Sequence, residues 1–100
     1  MSRRQLTPEA EDDPFDIWSY VARDDPDAAN DVEEAIYRAC DLLSESPLAG
    51  RTRADLTSLP LLFWLVQPYK THFVVYDPNE EPLKIVRIVH ASRHLPSTLR

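Results

Sequence analysis

The sequence contains few of the residues that build several common kinds of site. It has one glycine in 100 residues, whereas a loop that wraps a phosphate group needs several glycines. Its single cysteine excludes an intramolecular disulfide and a cysteine-rich zinc site. A run of about 18 apolar residues, which would predict a transmembrane helix, is also missing. The opening residues, MSRRQLTPEA, contain no apolar segment of the kind found in signal peptides, so we expect a cytoplasmic protein.

Proline and charge, by contrast, are plentiful. There are 9 prolines, and the apolar fraction of 43% is that of a folded chain. A length of 100 residues predicts a single domain over residues 1–100. Residues 1–50 carry 4 basic and 13 acidic side chains, whereas residues 51–100 carry 7 basic and 4 acidic ones. We therefore expect an anionic partner to meet the second half, which also holds all three histidines.

The first half predicts two helices. Thr7–Pro8 and Asp13–Pro14 both have the pattern of a helix start. Either a short turn precedes the first helix or that helix is kinked, because a proline inside a helix removes a hydrogen bond. A second helix is predicted to begin at Asp25–Pro26. The apolar residues that follow recur at helical spacing as far as Ser46–Pro47, where the helix is predicted to end. The short connection between the two helices predicts an antiparallel hairpin.

The second half predicts strands. The segments LLFWLVQP, THFVVYDP and LKIVRIVHA are rich in β-branched and aromatic residues and are separated by short links. This pattern predicts a three-stranded antiparallel meander. The segment RRQL, near the N-terminus, is a candidate for an additional edge strand. The predicted fold class is therefore α+β, with an N-terminal helical hairpin packed on a small antiparallel sheet.

Candidate functional residues are concentrated at the end of the third predicted strand. Strand alternation predicts Arg87 on the same face as Ile85, and His90 on the opposite face. An arginine among apolar neighbours needs a carboxylate or a ligand. We therefore expect Arg87 either to pair with an acidic residue of the helices or to bind a partner. Arg93 and His94 follow the strand, in chain that we expect to be exposed.

Other candidate sites have simpler interpretations. Cys40 is in phase with the apolar face of the second helix, so we expect a buried structural thiol. His90 and His94 are four residues apart, but no third ligand is apparent. The sequence therefore predicts no metal site and no cofactor.

The order of the elements, a helix hairpin followed by a meander that ends in IVRIVHASRHLP, resembles the RelE/ParE superfamily of toxins from type II toxin–antitoxin modules. The segment LTPEAEDDPFDIWSYVA is similar to the first helix of the family, and SPLAGRTRADLTSLPLLFWLV to its connection into the sheet. The last two strands are represented by YKTHFVVYDP and LKIVRIVHASRHLP. The resemblance covers nearly the whole chain and is strongest to the ParE branch.

The resemblance implies two alternative functions. ParE-like toxins bind and inhibit DNA gyrase without catalysing a reaction, whereas RelE-like toxins are metal-independent mRNA endoribonucleases. The acidic balance of the chain favours the ParE alternative, since an enzyme that acts on RNA gains from positive charge. In that case no residue is catalytic, and the residues expected to bind the target are Arg87, His90, Arg93 and His94. In the ribonuclease alternative, the catalytic residues are Lys70, His72, Arg87, His90 and Arg93.

Both alternatives imply a cognate antitoxin, ParD-like or similar and encoded adjacently. The resemblance implies that a disordered segment of this antitoxin folds on the toxin. We expect its binding surface near Trp18, Leu42, Leu61 and Phe63. Membrane binding and direct sequence-specific nucleic-acid binding are not expected.

Overall fold

The computed structural model describes residues 4–93, 95–96 and 99. The elements, in chain order, are β1 (Arg4–Leu6), α1 (Pro8–Ala22), α2 (Pro26–Glu45), β2 (Leu62–Leu65), β3 (His72–Asp77) and β4 (Leu83–His90). The α+β class and the helical hairpin are as predicted. No helix in this described part is long and apolar enough to cross a membrane.

Both helices begin at the predicted caps. The Thr7 hydroxyl accepts a hydrogen bond from the Ala10 N–H at 3.1 Å, and Pro8 follows at the first helical position. The Asp25 carboxylate caps α2 by accepting from the N–H groups of Asp27 and Ala28, both at 3.1 Å. These contacts satisfy N–H groups that have no partner within the helix.

The second candidate start in this region, Asp13–Pro14, is not used as a helix cap. The first helix runs through Pro14 as one element of 15 residues, so no separate first turn precedes it. The Asp13 carboxylate does not cap the helix because it is bonded to β4. A tertiary contact thus decides between the two local alternatives.

The sheet has four strands in the order β1-β4-β3-β2. The antiparallel pairing of β2, β3 and β4 is as predicted. The segment RRQL supplies β1, but this strand pairs with β4 in the parallel direction. The prediction of a small antiparallel sheet holds for the three longer strands, and β1 makes the complete sheet mixed, because a strand of three residues carries no pattern that reveals its direction.

A β-bulge in β4 changes which of its side chains share a face. The strand partner of Tyr76 is Ile85, but the preceding residue of β3 pairs with Arg87, so Val86 is the extra residue. Ile88 then joins Ile85 in the core under the helices, at a spacing of three rather than two. The prediction that Arg87 shares a face with Ile85 assumed strict alternation and is wrong for this reason.

Both faces of the sheet are covered. The helices and one face enclose the main core, whose largest fully buried side chains include Tyr76, Ile36, Leu43, Ile85 and Val74. The other face carries a second cluster of buried residues, namely Leu61, Phe63, Val75, Leu95 and Leu99. Leu95 and Leu99, which follow β4 in the chain, therefore pack against the sheet. Arg93 is exposed as expected, His94 lies outside the described residues, and the two leucines are buried.

The single glycine lies where a buried tyrosine comes close to the backbone. The Tyr76 hydroxyl donates to the Pro47 carbonyl at 2.7 Å and accepts from the Gly50 N–H at 2.8 Å. A Cβ atom at Gly50 would lie 2.6 Å from the Tyr76 hydroxyl oxygen and 3.0 Å from the Phe63 carbonyl oxygen. Only glycine fits here without displacing its neighbours, and the contact positions the connection from α2 to β2.

Candidate functional site

A cleft of about 660 Å³ opens between α1, the end of β4 and the turn that joins β2 to β3. Apolar side chains form most of its walls, among them Ile17 and Val21 of α1 and Ile88 and Val89 of β4. The fold brings four of the residues of the predicted sites to this cleft, namely His72, Arg87, His90 and Arg93. Lys70 is exposed in the adjacent turn and does not line the cleft, whereas His94 lies outside the described residues.

Arg87 is paired within the protein. Its Nε and Nη2 groups donate to the two carboxylate oxygens of Asp13 at 2.9 and 3.0 Å. The Asp13 side chain is 9% exposed and that of Arg87 is 25% exposed. Hydrogen bonding to Asp13 raises the pKa of Arg87 above its ordinary value. Of the two roles expected for Arg87, the structure supports pairing with an acidic residue of the helices.

Asp13 accepts hydrogen bonds from the backbone of β4 as well as from the side chain of Arg87. The partner strand β1 ends at Leu6, so the later part of β4 has no neighbouring strand on this side. The Thr7 hydroxyl donates to the Val86 carbonyl at 2.6 Å, and the Asp13 carboxylate accepts from the Ile88 N–H at 2.8 Å. The start of α1 thus satisfies backbone groups that a strand would otherwise bond. This role of Asp13 is not evident from the sequence, in which the one available signal was the need of Arg87 for a carboxylate.

His72 and His90 face each other across β3 and β4. Their ring centroids are 5.1 Å apart at an interplanar angle of 76°. His72 is buried, and its Nδ1 lies 3.0 Å from the Thr71 hydroxyl oxygen. Burial is the largest cause that lowers the pKa of His72 from 6.5 to about 4, and electrostatic interaction with His90 and Arg93 contributes to the same shift. The imidazole at the inner end of the cleft is therefore neutral at pH 7.

His90 is less buried than His72 and is held by the next turn. Its Nδ1 accepts a hydrogen bond from the backbone N–H of Ser92 at 3.1 Å and lies 2.7 Å from the Ser92 hydroxyl oxygen. The side chain of His90 is fixed at the mouth of the cleft.

We expect acidification to destabilise the fold through His72. Its pKa is about 4 in the folded state, against an ordinary value of 6.5. Between these values the unfolded chain binds more protons, so this contribution to stability is complete above pH 6.5 and is lost as the pH falls toward 4. The expected loss is about 2–3 kcal/mol. Urea denaturation at several pH values measures it.

A His72→Gln variant is the control for that experiment. It removes the titrating group and should flatten the pH dependence of the unfolding free energy across this window. An equally steep dependence in the variant would assign the effect to other groups.

Tyr20 and Arg93 line the rim of the cleft near the end of α1, and Arg23 lies beside the Tyr20 ring. The Tyr20 ring, 61% exposed, lies 5.6 Å from the guanidinium carbon of Arg93 and 5.8 Å from that of Arg23. Such cation–π contacts hold a cation over the aromatic face. Within the described part of the chain, neither arginine forms an ion pair. This rim therefore offers positive charge to solvent.

The residues expected at an antitoxin surface are not together. Trp18 is half-buried on α1, where its Nε1 donates to the Asn30 side chain at 2.8 Å, and Leu42 is 41% exposed on α2. Leu61 and Phe63, however, are 7% and 3% exposed. Their expected place on a binding surface is corrected, because the connection before β2 and the chain after β4 cover this face of the sheet.

Two further predictions concern the Cys40 thiol and metal binding. Cys40 is buried as predicted, and burial raises the pKa of its thiol to about 11, so it is protonated and unreactive at neutral pH. Among residues 4–93, 95–96 and 99, no group of three His, Cys, Asp or Glu side chains is arranged to hold a metal ion.

Known proteins share this fold and sequence pattern. Residues 5–95 match the family model of the ParE toxin of the type II toxin–antitoxin system, parDE. A solved structure described as the chromosomal ParDE TA system from P. aeruginosa superposes with a TM-score of 0.70. The match covers 90% of this chain and 96% of the other at 19% sequence identity, which establishes similarity of fold. No curated protein sequence matches significantly. Because the family model spans most of the chain, the chain belongs to the ParE toxin family of type II toxin–antitoxin systems.

Proposed function

We propose that this chain inhibits DNA gyrase by binding it, acts in the cytoplasm, and is neutralised by a cognate ParD-like antitoxin. The observation that carries the proposal is the match of residues 5–95 to the ParE toxin family. Inhibition by binding needs a surface that recognises a macromolecule, and the cleft with its cationic rim supports such a role. It requires no acid–base chemistry from the chain.

The pairing and protonation of the residues expected to be catalytic in the ribonuclease alternative also favour binding over RNA cleavage. A ribonuclease needs a general base, a general acid and cations that stabilise the phosphate. The Arg87 guanidinium is hydrogen bonded to Asp13, and a His72 with a pKa of about 4 is not an imidazolium at neutral pH, so it cannot serve as the general acid. Lys70 lies apart from the cleft walls. Of the five residues, His90 and Arg93 remain for direct contact with a ligand.

The expected role of each residue depends on whether its side chain is available to a partner or is already paired within the protein. His90 and Arg93 contact the target at the cleft, and His94, which follows them in the sequence, is a further target-binding residue. Arg87 contributes indirectly, because its ion pair with Asp13 holds α1 against β4. Trp18 and Leu42 are the two residues of the expected antitoxin surface whose exposure suits contact with a partner.

The test is a supercoiling assay with purified gyrase alongside an RNA integrity assay. We expect the purified chain to inhibit supercoiling and leave transcripts intact, and the product of the adjacent gene to restore supercoiling. Arg93→Gln should weaken inhibition about tenfold by removing one interfacial charge pair. Arg38→Gln is the matched control, since it removes the same charge from an exposed side chain of α2.

Two results would contradict the proposal in different ways. Transcript cleavage that is lost in His90→Ala would establish the ribonuclease alternative instead. A folded chain that leaves both supercoiling and transcripts unchanged would refute gyrase inhibition.

A further inference from the structure

The turn between β2 and β3 holds a lysine in an unfavourable backbone conformation. Among residues 4–93, 95–96 and 99, Lys70 alone has a positive φ, of 59°. Glycine adopts this left-handed conformation readily and asparagine tolerates it, whereas for most other residues the Cβ atom makes it unfavourable. The Lys70 N–H donates to the Val66 carbonyl at 2.8 Å and thereby closes the turn. The hairpin therefore imposes the left-handed conformation on this position.

The Lys70 side chain does not offset this cost through a charge pair within the protein. The residue is exposed, and its ammonium group forms no ion pair with another described residue. Glycine or asparagine would form the same turn at a lower conformational cost. Unfavourable backbone conformations are concentrated at functional sites. The lysine therefore points to a contact outside the chain.

The turn is bonded to the segment that carries the proposed target-binding residues. The Thr71 carbonyl accepts from the N–H of Ala91 at 2.9 Å, and Ala91 directly follows His90. Tyr69, which is 45% exposed, lines the same cleft as His90. Lys70 lies outside that cleft. It is therefore placed to contact a macromolecule that covers the cleft, rather than a ligand within it.

We propose that the β2–β3 turn is part of the target-binding surface, and that Lys70 pairs there with a carboxylate of the target protein beside the Tyr69 ring. Tyrosine is enriched at protein–protein interfaces, and charges at the edge of an interface help to select the partner. A nucleic-acid phosphate suits the site less well, because the net charge of −6 on the chain repels a polyanion. The inference rests on the proposed function and adds a recognition residue outside the cleft.

The test measures binding of the full chain to purified gyrase in the absence of DNA. Lys70→Asn removes the charge but suits the left-handed backbone. It should raise the melting temperature and weaken binding about tenfold, equivalent to one charge pair. Lys70→Arg keeps both the charge and the unfavourable backbone, so it should bind as tightly as the unchanged chain. A variant that gains stability while it loses affinity separates recognition from a structural role.

Two controls locate the effect. Lys84, the other lysine of the chain, lies near the start of β4, six residues before His90. Lys84→Gln removes the same charge and should leave the affinity for gyrase unchanged. The product of the adjacent gene is the second control, and it should bind Lys70→Asn as tightly as it binds the unchanged chain.

Several results would overturn the inference. These are full affinity of Lys70→Asn for gyrase, a lower melting temperature in that variant, equal losses in Lys70→Asn and Lys84→Gln, or no rescue by arginine. A loss that appears only after DNA is added would assign the charge to phosphate, and weaker binding of the adjacent gene product would assign it to the antitoxin surface. An unchanged chain that does not bind gyrase would refute the proposed function itself, and this inference with it.

Discussion

Replacing Asp13 with asparagine should lower the free energy of unfolding by about 3 kcal/mol. The substitution preserves shape but removes the charge that balances Arg87 and weakens the acceptor of the Ile88 N–H. The expected cost is at the lower end of the range of about 3–5 kcal/mol for breaking a buried ion pair, because the Arg87 side chain is 25% exposed and keeps some contact with water.

Urea denaturation of matched variants measures this effect. Asp12→Asn makes the same change of charge at the adjacent, exposed position of α1 and should alter stability by no more than about 0.5 kcal/mol. Adding Arg87→Met to Asp13→Asn should recover part of the loss, because the unpaired cation is removed as well. Equal stability of the Asp13→Asn and Asp12→Asn variants would mean that the ion pair does not hold α1 on β4.

Replacing both Leu95 and Leu99 with alanine should lower the free energy of unfolding by about 4 kcal/mol. Leu→Ala substitutions in cores cost about 2–5 kcal/mol each, and we take the lower end because this cluster lies at one side of the sheet. The two leucines are 7% and 3% exposed and pack with Phe63 and Val75. Their truncation leaves space over the second face of the sheet.

Thermal and urea unfolding of the double variant provide the measurement. Leu48→Ala, at a leucine that is 80% exposed in the connection after α2, is the control and should have almost no effect. If the double variant were as stable as this control, the chain after β4 would contribute nothing to the fold. That outcome would also restore Leu61 and Phe63 as candidates for an accessible surface.

The features that the sequence analysis located well depend on neighbouring residues. A helix cap at Thr7 or Asp25 bonds to N–H groups two or three residues later, so the whole interaction is present in a short segment. The burial of Cys40 follows from helical spacing along α2. The three longer strands are likewise recognisable from their composition and the short links between them.

The features that it misplaced depend on contacts between distant residues. The carboxylate that pairs with Arg87 is 74 positions away in the chain, and several acidic residues of the helices satisfied the same requirement. The bulge at Val86 depends on the register of the neighbouring strand. The local sequence does not show that Leu95 and Leu99 are buried against Leu61 and Phe63. Without that contact, Leu61 and Phe63 were predicted to lie on an accessible surface.

By itself, the sequence determined where the helices start, which segments become strands, and that the basic residues gather near the end of β4. These properties arise from backbone geometry and from the spacing of side chains along a few residues. Tertiary structure alone decided the direction of β1, the neutrality of His72, and the use of Arg87 as a structural ion pair. Each of these depends on desolvation or pairing by groups far away in the chain, which come together when the helices pack on the sheet.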